Sequence, residues 1–458
     1  MYISDKHTTW RRHQTLNLSA GKKKSGLRRW ILPFLIFCFF SAAGFGAWAY
    51  LGQGHDLASL FRKPADLMTA VPDKQTPEPA LPEPLTRAQV RELILEQELI
   101  NAGGNEFIVD TPRGPLRMVT FLDMSLTRHL TATLDHLKTL TRGKPTQIGL
   151  VVMDAHEGHI LAMAGFDLES DDTNPCTQAM YPAASIFKIV TAAAAVDALD
   201  YTPRTPLYFN GNKYTLYKRQ LTDARNKHTI TVSFEKAFAE SINPVFGKLG
   251  QLYLGRDTLA AYAHAFGFNQ DPDADLTFDP GRFYINEDAF HLAELGSGYN
   301  RDTMISPVFG AMMITPLLNR GQALMPAVIS HVMDDAGNIL YRHGKQFFST
   351  AMSPQATGAL VDLMKKTVSH GTARKSFGPV SRDKVLSELE IGGKTGSLSN
   401  RTYTIKYDWF TGFARETQGT RAIVFSIVVG HGEYIGTRAA AHARSIITRY
   451  FTPAASES

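Results

Sequence analysis

Residues 181–190 read YPAASIFKIV and run without a break into TAAAAVDAL at 191–199. A segment apolar around most of its circumference is a buried helix, yet it carries Lys188, one turn after Ser185. Residues three apart share a helix face, so the lysine reaches back toward the serine. The serine sits at the helix start, where unpaired N–H groups point outward. Burial and the positive helix end both disfavour a charged lysine. An amine neutral near pH 7 takes a serine proton and creates a nucleophile. A serine N-cap beside a snorkelling lysine accounts for the same two residues without chemistry.

The spacing alone decides nothing. It recurs at Ser19/Lys22, Ser233/Lys236 and Ser381/Lys384, the last two in polar surroundings where a solvated lysine costs nothing. Two further triplets separate the cases. Ser241-Ile242-Asn243 is the chain's one S-x-N, and Lys394-Thr395-Gly396 is its one KTG. Each has a bland reading, as a helix cap or a strand end. Together, in the order SxxK, SxN, KTG, they are far more specific than any one of them.

That order resembles the penicillin-binding transpeptidases and the related serine β-lactamases over roughly residues 118–450. Thr120-Phe121-Leu122-Asp123, VVMDAHEGHILAMAGF at 151–166, ISPVFGAMMITPLLNRG at 305–321 and YDWFTGFA at 407–414 are weaker local matches. The resemblance implies that Ser185 is the acylated nucleophile and Lys188 its general base. Ser241 would relay protons to the leaving group, and Asn243 would hydrogen-bond the substrate. Lys394 and Thr395 would hold the carboxylate of a D-Ala-D-Ala end. Gly396 would let substrate lie against the strand. The backbone N–H groups of Ser185 and Ser397 would form the oxyanion hole. Ser397 stands where the family often has threonine. The partners implied are peptidoglycan stem peptides, lipid-linked precursors and β-lactam antibiotics. No metal or organic cofactor is called for.

The nearest rival within the resemblance is a β-lactamase. One class of these uses Glu-x-x-Leu-Asn. Here Leu-Asn occurs at Leu16-Asn17 and Leu318-Asn319, with His13 and Thr315 where the glutamate would stand. A D,D-carboxypeptidase, which differs in using water as acceptor, would carry the same residues. So would a covalent sensor of β-lactams or wall fragments.

The rest of the chain frames this unit. IGLVVMD (148–154) and HILAMAG (159–165) read as a hairpin around AHEG, and LEIGGKTGS, YDWFTGFA and AIVFSIVVG as three late strands. Helical periods fill the interval. The expected class is α+β: an antiparallel sheet of about five strands, flanked by helices, with an inserted helical subdomain. His156-Glu157-Gly158-His159 lacks the zinc-helix spacing and reads as a turn. GSGYNR at 296–301 reads as a loop.

Upstream, residues 1–29 hold eight basic residues and one acid, a charge of +7 against +5 for the whole chain, which leaves −2 elsewhere. The basicity is a tail and not a nucleic-acid footprint. An uncharged run, WILPFLIFCFFSAAGFGAWAYLGQG, follows at 30–54. It is long enough for a membrane span with the tail inside and the remainder on the outer, periplasmic side. A cleaved signal peptide is the rival reading. The expected organisation is a cytoplasmic tail (1–29), a span (30–51), a proline-rich linker (52–85), a small juxtamembrane segment (86–117) and the catalytic unit (118–453). Too little chain precedes the last unit for a glycosyltransferase domain, so a separate membrane glycosyltransferase is the candidate partner. Thr86 and Gln89 form a capping-box signal for a helix expected to run to Gly103-Gly104.

Overall fold

The structure is a computed structural model that describes residues 83–170 and 172–452. The expected tail, the span at 30–51 and all but the end of the linker lie outside the described residues. Among those described, no helix is long and apolar enough to cross a membrane.

The capping box at Thr86 and Gln89 is formed, but helix α1 spans only Arg87–Leu93. The expected run to Gly103 is too long, and side-chain spacing gives the reason. Val90 and Ile94 are buried, and a continued helix would next bury Glu98 on that face; the chain breaks and buries Leu99 instead. Strands β1 (Glu106–Thr111) and β2 (Gly114–Thr120) then form a hairpin. The boundary expected between 117 and 118 falls inside β2. Moreover β2 pairs with a strand some two hundred residues later, β5 below, so residues 86–117 pack with the rest of this unit. Arg87 and Arg91 also reach Asp273.

Asp123 caps helix α2 (Met124–Thr139) by accepting the N–H groups of Ser125 and Leu126. Strands β3 (Pro145–Asp154) and β4 (Ile160–Asp167) form the early hairpin. Its turn is the His-Glu-Gly-His stretch. Asp154 Oδ1 accepts the His156 and Glu157 N–H groups, and Gly158 takes φ +78°.

The helical insertion carries α3 (Lys188–Leu199), α4 (Phe234–Ala239), α5 (Asn243–Lys248) and α6 (Ala289–Ser297). Strands β5 (Ile329–Met333) and β6 (Ile339–Arg342) complete a four-stranded sheet with β1 and β2. Helix α7 (Pro354–Ser369) leads back to the main sheet. That sheet is closed by β7 (Leu389–Ser399), β8 (Lys406–Glu416) and β9 (Ala422–His431), and helix α8 (Ala439–Phe451) ends the unit. The order is β7-β8-β9-β3-β4, antiparallel throughout. The α+β class and the five strands expected from sequence are therefore present.

Alternation along the strands builds two cores. Ile148, Leu150 and Val152 of β3, with Ile423, Phe425 and Ile427 of β9, pack under α2 and α8. Val151, Met153, Val424 and Val428 face the insertion. The sheet is thus a middle layer, and its free edge, β7, adjoins the insertion that holds Ser185.

Candidate active site

Ser185 lies in a 3₁₀ turn, Ala184–Phe187, that feeds directly into α3. Ala184 takes φ +48°, the left-handed region that a side chain disfavours. The turn is held in that shape from several sides. Ala183 N–H donates to Thr303 O at 2.8 Å, and Trp409 Nε1 of β8 donates to Pro182 O at 3.0 Å. Gly298 closes α6 with φ +65°, and a Cβ there would stand 1.9 Å from Ala184 O. The loop expected at 296–301 is therefore a helix end pressed onto the turn that carries Ser185.

The Ser185 hydroxyl caps no helix N–H. It meets Lys188 Nζ at 2.8 Å. The lysine does not snorkel, because it is fully buried. Its other contacts are Asn243 Oδ1 at 2.8 Å and Ser297 O, the last carbonyl of α6, at 2.5 Å. Asn243 is oriented by its own amide, which donates to Tyr214 O at 2.9 Å. Three contacts match the three hydrogens of an ammonium. A neutral amine has only two hydrogens, and the amide oxygen and the carbonyl can only accept. The lone pair of the neutral form is therefore directed at the Ser185 hydroxyl, which is the arrangement a general base needs. Burial, and then the charge of Lys394, pushes Lys188 well below the ordinary lysine range.

Lys394 sits on the edge strand β7 and is also fully buried. Its Nζ donates to Ser241 Oγ at 3.0 Å and to Thr395 O at 2.9 Å. Ser241 takes φ +56° in the turn between α4 and α5, which aims it at the strand. Burial without an opposite charge pushes Lys394 down to about 7. Thr395 Oγ1 lies 2.5 Å from Thr372 Oγ1, and Ser397 is exposed two residues on. All eight residues singled out from sequence thus belong to one region, where β7 passes the turns that carry Ser185 and Ser241.

Two of them have contacts that the sequence did not indicate. Asn243, expected to address substrate, gives its oxygen to Lys188 and is 7% exposed. Gly396 was expected to open room for substrate. A Cβ there would stand 3.3 Å from both Ala183 O and Ile186 Cγ1, so the missing side chain also lets β7 close on the turn that carries Ser185. Three partners escaped the sequence: the main-chain oxygens of Ser297 and Tyr214, and Thr372. The signal for the first was available, a glycine directly after the helical period of 289–297.

Residues 148–448 match the family model described as the penicillin binding protein transpeptidase domain. The chain belongs to that family. Similar proteins include the peptidoglycan D,D-transpeptidase PbpA of Mycolicibacterium smegmatis, 27% identical over 296 residues, which are 61% of this chain and 56% of the relative. Penicillin-binding protein 1B of Vibrio cholerae is 25% identical over 325 residues, 69% of this chain and 37% of the relative. The chain thus spans about half the length, or less, of these curated relatives. The fold is shared with penicillin-binding protein A of Mycobacterium tuberculosis, at TM-score 0.57 and 21% identity over 72% of this chain and 79% of that one. Penicillin-binding protein 3 of the same organism gives TM-score 0.59 at 20% identity, over 72% and 78%.

Proposed function

We propose that the protein is a peptidoglycan D,D-transpeptidase that forms an acyl-enzyme on Ser185 and cross-links stem peptides. The single observation that carries this reading is the buried Lys188 amine, 2.8 Å from Ser185 Oγ with its other contacts on oxygens that can only accept.

In the first step Ser185 Oγ attacks the carbonyl of a D-Ala-D-Ala bond, and its proton passes to Lys188. The oxyanion rests on the N–H groups of Ser185 and Ser397; each such donor lowers the barrier by about 3 kcal/mol. The proton held by Lys188 is then relayed through Ser241, which is hydrogen-bonded to Lys394, to the departing D-Ala nitrogen as the C–N bond breaks, and Lys188 is neutral again. Lys394 as an ammonium and the Thr395 hydroxyl hold the terminal carboxylate. A second stem-peptide amine then attacks the ester carbon, the C–Oγ bond breaks, and the proton shed by the amine returns to Ser185. Nucleophile, base and oxyanion donors all come from the chain. We assign the span at 30–51 as the anchor of this unit on the outer face of the cytoplasmic membrane, supported by the basic tail before it. Lipid-linked precursors and a membrane glycosyltransferase fit that placement as substrate source and partner.

The test is to incubate the full chain, purified in detergent, with a fluorescent penicillin and to follow the protein-bound label for hours. A stable adduct at Ser185, absent in Ser185→Ala, is the expected result. Turnover within seconds would instead make the protein a β-lactamase. A chain that never labels would favour a structural scaffold with a dead site.

A further inference from the structure

A cavity of about 960 Å³ lies beside the start of β7, between that strand, the C-terminal end of α7 and the turn that follows it. None of the residues that carry the acylation chemistry lines it. Its lining includes Lys365, His370, Thr372, Arg374, Lys375 and Glu390. Thr372 belongs to both regions, because its hydroxyl meets Thr395 at 2.5 Å. Glu390 is held by Lys365 at 2.7 Å and by Arg415. Its charge is thereby matched, and the exposed Arg374 and Lys375 leave the lining net positive.

The direction of the strand gives this cavity a role. On the reading proposed above, Ser397 marks the acyl carbonyl and Thr395 the carboxylate of the departing residue, a separation of about 7 Å along a strand. Continuing the same way, past the carboxylate, leads to residues 391–389 and the cavity. The second half of the reaction is the first run backwards with a different amine. The incoming amine therefore enters by the route on which the first one left. We infer that this cavity is the acceptor subsite, and that it takes a peptide presenting a primary amine and bearing a free carboxylate, which Arg374 and Lys375 recognise. In the step it serves, the acceptor nitrogen bonds the acyl carbon, the ester C–O bond to Ser185 breaks, and the amine's proton ends on Ser185 Oγ.

This inference rests on Ser185 being acylated, and the experiment separates the two. Full chain in detergent is given a synthetic donor peptide ending in D-Ala-D-Ala, and an amine-bearing acceptor peptide either with a free C-terminal carboxylate or with that carboxylate amidated. Transfer and hydrolysis of the donor are counted together, and penicillin labelling is measured on the same samples. Arg374→Glu/Lys375→Glu is expected to lower the ratio of transfer to hydrolysis about tenfold with the carboxylate acceptor and to change it little with the amidated one. Donor consumption by hydrolysis and penicillin labelling should stay within twofold. Arg374→Lys/Lys375→Arg should retain transfer. Unchanged partition in the Glu variant, equal losses with both acceptors, or hydrolysis alone in the unaltered chain would each overturn the inference while leaving acylation intact. Failure of the unaltered chain to label would overturn the acyl-enzyme reading and this inference with it.

Discussion

At Ser233 the hydroxyl accepts the backbone N–H of Lys236 at 3.3 Å and starts α4, while the Lys236 side chain is 56% exposed and lies 3.9 Å from Glu240. At Ser185 the hydroxyl caps nothing, and the lysine three residues on is buried with its amine on that hydroxyl. Residue types and spacing are identical in the two places. The backbone before the serine differs: Ser233 is extended at φ −72°, ψ 157°, the geometry of a cap, whereas Ser185 follows Ala184 at φ +48° inside a 3₁₀ turn. The surroundings of the lysine differ as well. Lys236 can shed its desolvation cost by staying in water, whereas Lys188 is enclosed by Asn243, Ser297 and the alanine-rich α3. Serine and lysine at this spacing meet as hydroxyl and buried amine only where the fold removes the cap and the water together.

The sharpest way to break the comparison is to remove each amine while keeping the chain's length. Lys188→Met should slow acylation of Ser185 by penicillin about 10³-fold, the usual scale for a general base. Lys236→Met should leave the rate within about twofold, since its amine touches only Glu240 at the surface. Stopped-flow or quench measurement of labelling rates checks both. Comparable losses in the two variants would mean that the contact at 2.8 Å has no part in the chemistry.

The pH dependence sharpens it further. Acylation of a substrate with a free carboxylate needs Lys188 neutral and Lys394 charged. Burial, then the neighbouring charge, lowers Lys188, so the base is available well below the ordinary lysine range; Lys394 loses its proton near 7 in the free protein. The two interact, so the observed values belong to the pair. The expected profile of kcat/KM is a bell whose alkaline limb begins near pH 7 and falls about tenfold per unit. In kcat that limb should move upward, because a bound carboxylate favours the ammonium. Stability carries the opposite sign from the usual salt-bridged lysine. Between pH 7 and about 10.4 the unfolded chain binds the proton that folded Lys394 has released, so folding strengthens as pH rises through that window and is weakest below it. Lys394→Met should flatten this rise, on a scale of a few kcal/mol at most, as read from denaturant melts at pH 7 and 9.

Much of this was legible in the sequence, and the parts that were not have a common cause. The three motifs, the five strands and the early hairpin follow from period-2 apolar runs, glycine turns and residue types whose chemistry is local. Burial of Lys188 was readable because the segment at 181–199 is apolar around most of its circumference. What sequence could not give was the pairing of residues by topology. The main-chain oxygens of Ser297 and Tyr214 bear no residue-type signature, and nothing local says that the Asn243 oxygen faces a lysine fifty-five positions away. The close approach at Gly396 was hidden for the same reason: the neighbour it accommodates is Ala183, far along the chain. The short α1 was a different matter. There the pattern was present, since Glu98 stands where a longer helix needs an apolar residue, and helix-forming composition outweighed it.

The smallest expected effect tests the bland member of the pair on its own terms. Ser233→Ala removes one acceptor from the first turn of α4 and leaves the Lys236 N–H unpaired at a helix end, a loss of about 1 kcal/mol. In a domain of this size that lowers Tm by about 2 °C, and labelling of Ser185 should not change. Ser185→Ala should show the reverse pattern, with labelling abolished and stability nearly intact or slightly raised. No cap is lost there, and Lys188, no longer near a polar hydroxyl, keeps two acceptors for the two hydrogens of its neutral form. A thermal melt beside a labelling gel reads both variants. If Ser185→Ala instead melted several degrees lower, the hydroxyl would be supporting the turn, and the strain at Ala184 would belong to folding and not to the positioning of a nucleophile.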